Sequence, residues 1–151
     1  MGGERTTRPV EQILRSESPA ETEAFGKKLG AQLGVGDVVE LRGELGAGKT
    51  CLTRGIARGL GIEDPVRSPT FTLCHVHRSD PPLFHLDAYR VEDPEELLIQ
   101  GWDEMRARGI VVIEWGERVP ELLPSDRIVI ELSHGDSPEG RILRWHGRGD
   151  A

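Results

Sequence analysis

The chain has 151 residues, 36% of them hydrophobic and 30% charged, with a net charge of −7 from 26 acidic and 19 basic side chains. A chain of this length fits one domain that buries well over half of the surface its unfolded form exposes. The charge opposes binding along an extended nucleic acid, no apolar run approaches the roughly 18 residues of a membrane span, and Cys51 and Cys74, without a CxxC pair, form neither a disulfide framework nor a metal knuckle.

The opening MGGERTTRPV lacks the hydrophobic stretch of a secretion signal, which predicts a cytoplasmic protein. Residues 1–9 read as a flexible tail, 10–147 as the folded domain and 148–151 as a short C-terminal tail. Within the domain, residues 10–15 predict a first strand, and Ser18-Pro19-Ala20-Glu21 has the form of a capped helix start. Phe25, Leu29 and Leu33 line one face of that helix, which is predicted to stop near Gly34-Val35-Gly36. A strand at 37–42 precedes a helix at 49–60, whose Leu52, Ile56 and Leu60 face a core and which Gly61 ends. Two closely spaced strands, 71–77 and 83–87, predict an antiparallel pair joined through RSDPP. Asp93-Pro94-Glu95-Glu96 repeats the capping logic for a further helix, followed by a helical segment at 103–108. The unbroken apolar run of residues 110–114 predicts a strand buried on both faces, and 127–133 with 141–146 predict a terminal hairpin. Strands and helices in this order point to an α/β fold that contains at least one antiparallel strand pair.

GELGAGKT at 43–50 matches G-x-x-x-x-G-K-[ST] and stands between a predicted strand and a predicted helix, where a P-loop must lie. The glycines Gly43, Gly46 and Gly48 admit close backbone approach, so that N–H groups from Gly43, Glu44, Leu45, Gly46, Ala47, Gly48, Lys49, Thr50 and Cys51 can cradle phosphate at the positive end of a helix dipole. Lys49 adds a charge for the β and γ phosphates, and Thr50 a hydroxyl for Mg²⁺. In open α/β sheets, ligand groups collect beyond the carboxyl ends of strands, and Asp87 and Glu114 each end an apolar run. One acid is needed for Mg²⁺ and another to orient the attacking water; plain strand caps are the alternative. Thr70, in Ser68-Pro69-Thr70, is the candidate γ-phosphate sensor against an ordinary turn. Trp115 reads equally as a shield of the site, a partner contact or a core residue. His75 and His77 share a strand face near His85, but no cysteine or carboxylate pattern completes a zinc set, so packed or exposed histidines are the simpler reading. Arg54 and Arg58 suit a solvated helix face, and only a guess makes Arg90 an arginine finger.

Taken together, GELGAGKT, SPTFTL at 68–73, FHLDAYR at 84–90, PEEL at 94–97 and VVIEWGER at 111–118 resemble the bacterial TsaE (YjeE) family over nearly the whole domain. The resemblance implies a single α/β P-loop domain with a mixed parallel and antiparallel central sheet flanked by helices, and a slow, Mg²⁺-dependent ATPase of tRNA threonylcarbamoyladenosine biosynthesis. It implies TsaD and TsaB homologues as partners, with tRNA contacted mainly through that complex. A protein that is monomeric by itself is expected. The family's roles place Lys49 and Thr50 on phosphate and magnesium, Thr70 in a switch-like loop, Asp87 as the catalytic acid and Glu114 as the Walker B-type magnesium ligand. One departure is LLIQGWDE at 97–104, where a residue more apolar than Trp102 is expected after the glycine.

Two alternatives stay open at this level. A chain without asparagine cannot supply the N-K-x-D element that reads guanine, which favours ATP. A small-molecule kinase shares the size, the P-loop and an Asp-x-x-Arg group such as Asp87-Ala88-Tyr89-Arg90. A nucleotide-gated binding module that does not hydrolyse would need Lys49 and Thr50 but no acid aimed at water.

Overall fold

The computed structural model describes residues 12–43, 48–63, 65 and 74–146. Its strands are β1 (Gln12–Ser16), β2 (Val38–Gly43), β3 (Cys74–His77), β4 (Leu83–Asp87), β5 (Ile110–Glu114), β6 (Ile128–His134) and β7 (Arg141–His146). The helices are α1 (Pro19–Gly30), α2 (Lys49–Gly59), α3 (Pro94–Ile99) and α4 (Trp102–Arg108). The seven strands make one sheet in the order β1-β7-β6-β2-β5-β4-β3. Its centre, β6-β2-β5-β4, is parallel; β7 runs antiparallel to β6 and β3 to β4, as the two predicted hairpin-like pairs require, and β1 pairs antiparallel with β7 at the edge, so that it runs in the direction of the central strands.

Burial follows from this placement. All five residues of β5 are buried, because it lies between two parallel neighbours with helices over both faces. On one face Val39, Leu41, Val112 and Ile130 pack against Leu52 and Ile56 of α2 and Phe25 and Leu29 of α1. On the other, Val38, Val111, Ile113 and Leu86 pack against Leu97, Trp102 and Met105. Burying one such side chain stabilises the fold by about 1.5–3 kcal/mol. Trp102 is 2% exposed, so the departure from the family pattern is a core aromatic on the α3–α4 face.

Local chemistry sets most of the boundaries. Ser18 caps α1 by accepting from the Glu21 N–H, while the Glu21 carboxylate reaches one residue further back, to the Glu17 N–H at 2.9 Å. Asp93 and Glu96 form the reciprocal capping box of α3. Helix α1 ends at Gly30, earlier than the predicted stop. The N–H groups of Ala31, Gln32 and Leu33 tighten onto carbonyls of the last turn, and the Asp37 carboxylate takes the Gly34 N–H at 2.7 Å. Of the predicted strand 71–77, residues 71–73 lie outside the described residues; β6 is shifted by one residue from the predicted 127–133, running Ile128–His134, because the Arg127 N–H turns back to the Pro124 carbonyl.

Helices α1 and α2 meet through glycine on both sides. A Cβ at Gly26 would lie 2.6 Å from the Leu52 carbonyl oxygen, and those at Gly30, Gly55 and Gly59 would sit closer still to backbone of the facing helix. The P-loop helix is therefore seated backbone against backbone on its neighbour.

Candidate nucleotide site

The site forms where β2, β4 and β5 end together. Leu41 of β2 pairs with Glu114 of β5, and Glu114 with Asp87 of β4, so the two acids stand side by side at the carboxyl edge of the parallel strands. Both lie on the sheet face that carries α2, since the alternation of each strand puts His85 and Asp87, and Val112 and Glu114, on one side. This is the crevice in which open α/β sheets hold ligands.

Gly43 closes β2 with φ +151°, pressed against Leu132, and Gly48 opens α2 with φ +103° as a cap without a side chain. These are backbone conformations that other residues rarely adopt. Lys49, Thr50 and Cys51 form the first turn of α2, where orphan N–H groups and the positive helix end favour an anion. The Lys49 ammonium donates to the Gly43 carbonyl at 2.9 Å and stands 3.8 Å from Glu114 Oε1. The Cys51 thiol is turned to the Pro19 carbonyl, leaving only its backbone for the phosphate role expected of it. Glu44, Leu45, Gly46, Ala47 and Thr70 lie outside the described residues.

Each acid is fixed by local bonds. Asp87 Oδ1 accepts from the Tyr89 N–H at 2.9 Å, and the Ala88 N–H donates to the Glu114 carbonyl at 2.9 Å, tying the turn after β4 to the end of β5. Glu114 Oε2 lies 2.8 Å from His85 Nε2, a histidine wholly buried in β4. This pairing was not predicted, because it depends on the register of β4 against β5; the only signal was a histidine two residues before a strand-ending acid. Among the described residues no group of three or more His, Cys, Asp or Glu side chains is placed to hold a metal ion by itself, and His85 is turned to Glu114. His75 and His77 stack at 4.5 Å.

After Glu114 the chain turns sharply through Trp115, whose φ of +62° is left-handed. Its ring meets Tyr89 at 4.8 Å, lies 5.6 Å from the Lys49 ammonium and packs against the edge of the second core cluster, so it borders both the site and the core. Arg118 sits over the Tyr89 ring at 5.3 Å, whereas Arg90 is exposed. Beneath the turn is Glu40, fully buried in β2 and also missed from sequence; a Cβ at Gly116 would touch its side chain at 3.0 Å. Burial opposes the Glu40 charge, but hydrogen bonds from Arg42 at 2.9 Å and Arg127 at 2.7 Å outweigh it and hold the carboxyl below its usual 4.5.

Magnesium prefers oxygen donors, and the groups gathered here, the Glu114 and Asp87 carboxylates beside the Thr50 position, are an oxygen set suited to it. Among the described residues no helix is long and apolar enough to cross a membrane.

Comparison with known proteins follows the same line. The family model for threonylcarbamoyl adenosine biosynthesis protein TsaE matches residues 16–142. The tRNA threonylcarbamoyladenosine biosynthesis protein TsaE of Bacillus subtilis is 42% identical, covering 85% of this chain and 81% of its own length. That of Treponema pallidum is 43% identical over 78% of this chain and 87% of its own. The crystal structure of Bacillus subtilis YdiB superposes with a TM-score of 0.78 at 32% identity, covering 95% of this chain and 90% of that one. A P-loop helix on a mixed sheet, two acids at its edge and a family match over most of the chain have one consequence: the chain belongs to the TsaE family of tRNA threonylcarbamoyladenosine biosynthesis.

Proposed function

We propose that this protein binds ATP with Mg²⁺ and hydrolyses it slowly, as a cytoplasmic component that supports a TsaD and TsaB complex, through an ATPase domain spanning residues 10–147. The observation that carries the reading is the convergence of Lys49, Glu114 and Asp87 at one end of the parallel strands, on the face that carries the P-loop helix. Family membership supports the partners, and tRNA would be met mainly through them.

In this reading the N–H groups of the first turn of α2 and the Lys49 ammonium bind the β and γ phosphates. Thr50 and Glu114 would hold the magnesium, which would supply neutralisation of the charge on the phosphate oxygens. Asp87 orients the attacking water: the Tyr89 N–H occupies one of its oxygens and leaves the other as acceptor. Water adds to the γ-phosphorus as the bond to the ADP oxygen breaks, and Trp115 limits solvent beside Lys49. Thr70 is assigned the sensor role by family resemblance alone.

The test is ATP hydrolysis by the purified protein, alone and with cognate TsaD, TsaB and tRNA, with Lys49→Ala as blank. Partner stimulation is expected, with Lys49→Ala losing nucleotide affinity and Asp87→Ala losing turnover by about 10²–10⁴-fold while still binding ATP. Unchanged turnover in Asp87→Ala refutes its role, and intact ATP affinity in Lys49→Ala refutes the site itself.

A further inference from the structure

We propose that His85 is the positioning residue of the site: its Nε2–H pins one oxygen of Glu114 so that the other faces the P-loop. The inference rests on the metal-holding role given to Glu114 above.

The geometry is two-sided. Glu114 Oε2 is 2.8 Å from His85 Nε2, and Oε1 is 3.8 Å from Lys49 Nζ, so the carboxylate plane is set between a buried ring and the phosphate-binding ammonium. A carboxylate opposite a lysine only accepts hydrogen bonds, so the proton of this contact belongs to Nε2. His85 Nδ1 is buried and has no hydrogen-bond partner among the described residues. A neutral ring protonated at Nε2 leaves only a lone pair unmet at Nδ1, which costs less than burying an unmet N–H; the same tautomer therefore suits both nitrogens.

Location makes the contact rigid. His85 is 0% exposed, stands opposite Val112 in the β4–β5 ladder, and has bonded backbone neighbours on both sides through β3 and β5. Glu114, by contrast, is the last residue of its strand and is followed by the left-handed Trp115, so without the ring its side chain would rotate about the end of the strand. A partner that orients a metal-holding group in this way changes metal affinity by about 10–100-fold when removed.

The experiment compares wild type, His85→Leu, His85→Gln and Glu114→Ala. Gln places an N–H where Nε2 stands, whereas Leu keeps apolar bulk and removes the donor. A fluorescent ADP analogue is titrated in EDTA and then across Mg²⁺ concentrations. His85→Leu is expected to raise the Mg²⁺ midpoint at least about 10-fold with metal-free affinity unchanged, and His85→Gln to restore most of it. An equal shift in Leu and Gln, or an unshifted midpoint in Leu when Glu114→Ala shifts it, overturns the proposal. If Glu114→Ala itself leaves the midpoint unmoved, the metal role of Glu114 fails instead. Proton–nitrogen NMR of the metal-free wild type decides the hydrogen bond even if a variant does not fold: a protected His85 Nε2–H supports it, and an Nδ1–H tautomer overturns it.

Discussion

Replacing Gly26 by alanine tests the seat of the P-loop helix. In an exposed helix interior this change stabilises by about 1 kcal/mol, because glycine forfeits more backbone freedom on folding. Here the new methyl carbon would lie 2.6 Å from the Leu52 carbonyl oxygen, 3.0 Å from the Ile56 nitrogen and 3.1 Å from Gly55 Cα, against an ordinary contact of at least 3.4 Å. None of these is a flexible side chain, so α1 and α2 must part by several tenths of an ångström over their shared length. Overpacking of this kind costs about 1–3 kcal/mol; with backbone atoms as all three neighbours the upper part of that range, about 2–3 kcal/mol, applies, and the net loss after the helical gain is about 1–2 kcal/mol. Gly55→Ala, which meets the Glu23 carbonyl more closely still, should lose more. For a chain of this size 1 kcal/mol corresponds to about 2–4 °C in Tm. Thermal and urea unfolding without nucleotide would measure both, with Gly34→Ala as control, since nothing lies within 4 Å of its added carbon. Gly34→Ala should be neutral or slightly stabilising. If Gly26→Ala matches or exceeds wild type, the helices are not in the close contact described.

Two further outcomes follow from buried ionisable groups. Glu40→Gln should lose about 1–3 kcal/mol at pH 7, because Arg42 and Arg127 keep their charge without its counterpart; since the native carboxyl is held below 4.5, the wild-type advantage is present above that pH and disappears as pH falls through the folded value, a convergence that urea melts at pH 3–7 would show or refute. Burial pushes the Cys74 thiol up to about 11, so at pH 8 its alkylation in the folded protein should run about 100-fold slower than in urea, as peptide mass spectrometry would follow; equal rates would contradict its burial.

The strand end and helix start on either side of residues 44–47, the buried run of β5 and the capping box at Asp93 were legible because each is written in adjacent residues, where spacing alone carries the physics. The partners of Glu114 and Glu40 were not. Glu114 meets a histidine 29 positions away, and Glu40 an arginine 87 positions away, through strand register that local sequence does not encode. Glu40 sat unnoticed in DVVELR because a strand reading tolerates one acid at a polar position, whereas the sheet here is covered on both faces. The glycine contact was not read from the sequence: the spacing of Gly26 with Gly30 and of Gly55 with Gly59 specifies close helices only once the chain brings the two together. The early end of α1 turned on Asp37, an acceptor that competes for the Gly34 N–H from outside the helix.

The charges at the strand ends bear on why a divalent cation belongs to the proposed reaction. Lys49 is one positive charge, and the first turn of α2 adds the equivalent of about half of another, yet Glu114 and Asp87 bring two negative charges to the same edge of a protein that is already at −7. At an effective dielectric near 20, unit charges of like sign roughly 5 Å apart repel by about 3 kcal/mol, so a bare triphosphate would be opposed by the acids as strongly as Lys49 attracts it. The same acids become attractive once the phosphates arrive with a divalent cation between them. In the proposed function the arrangement would therefore favour the magnesium complex over the free nucleotide. Lys49 stands 3.8 Å from one Glu114 oxygen while His85 meets the other, so both charges are held at the end of the strands where the ligand is proposed to bind.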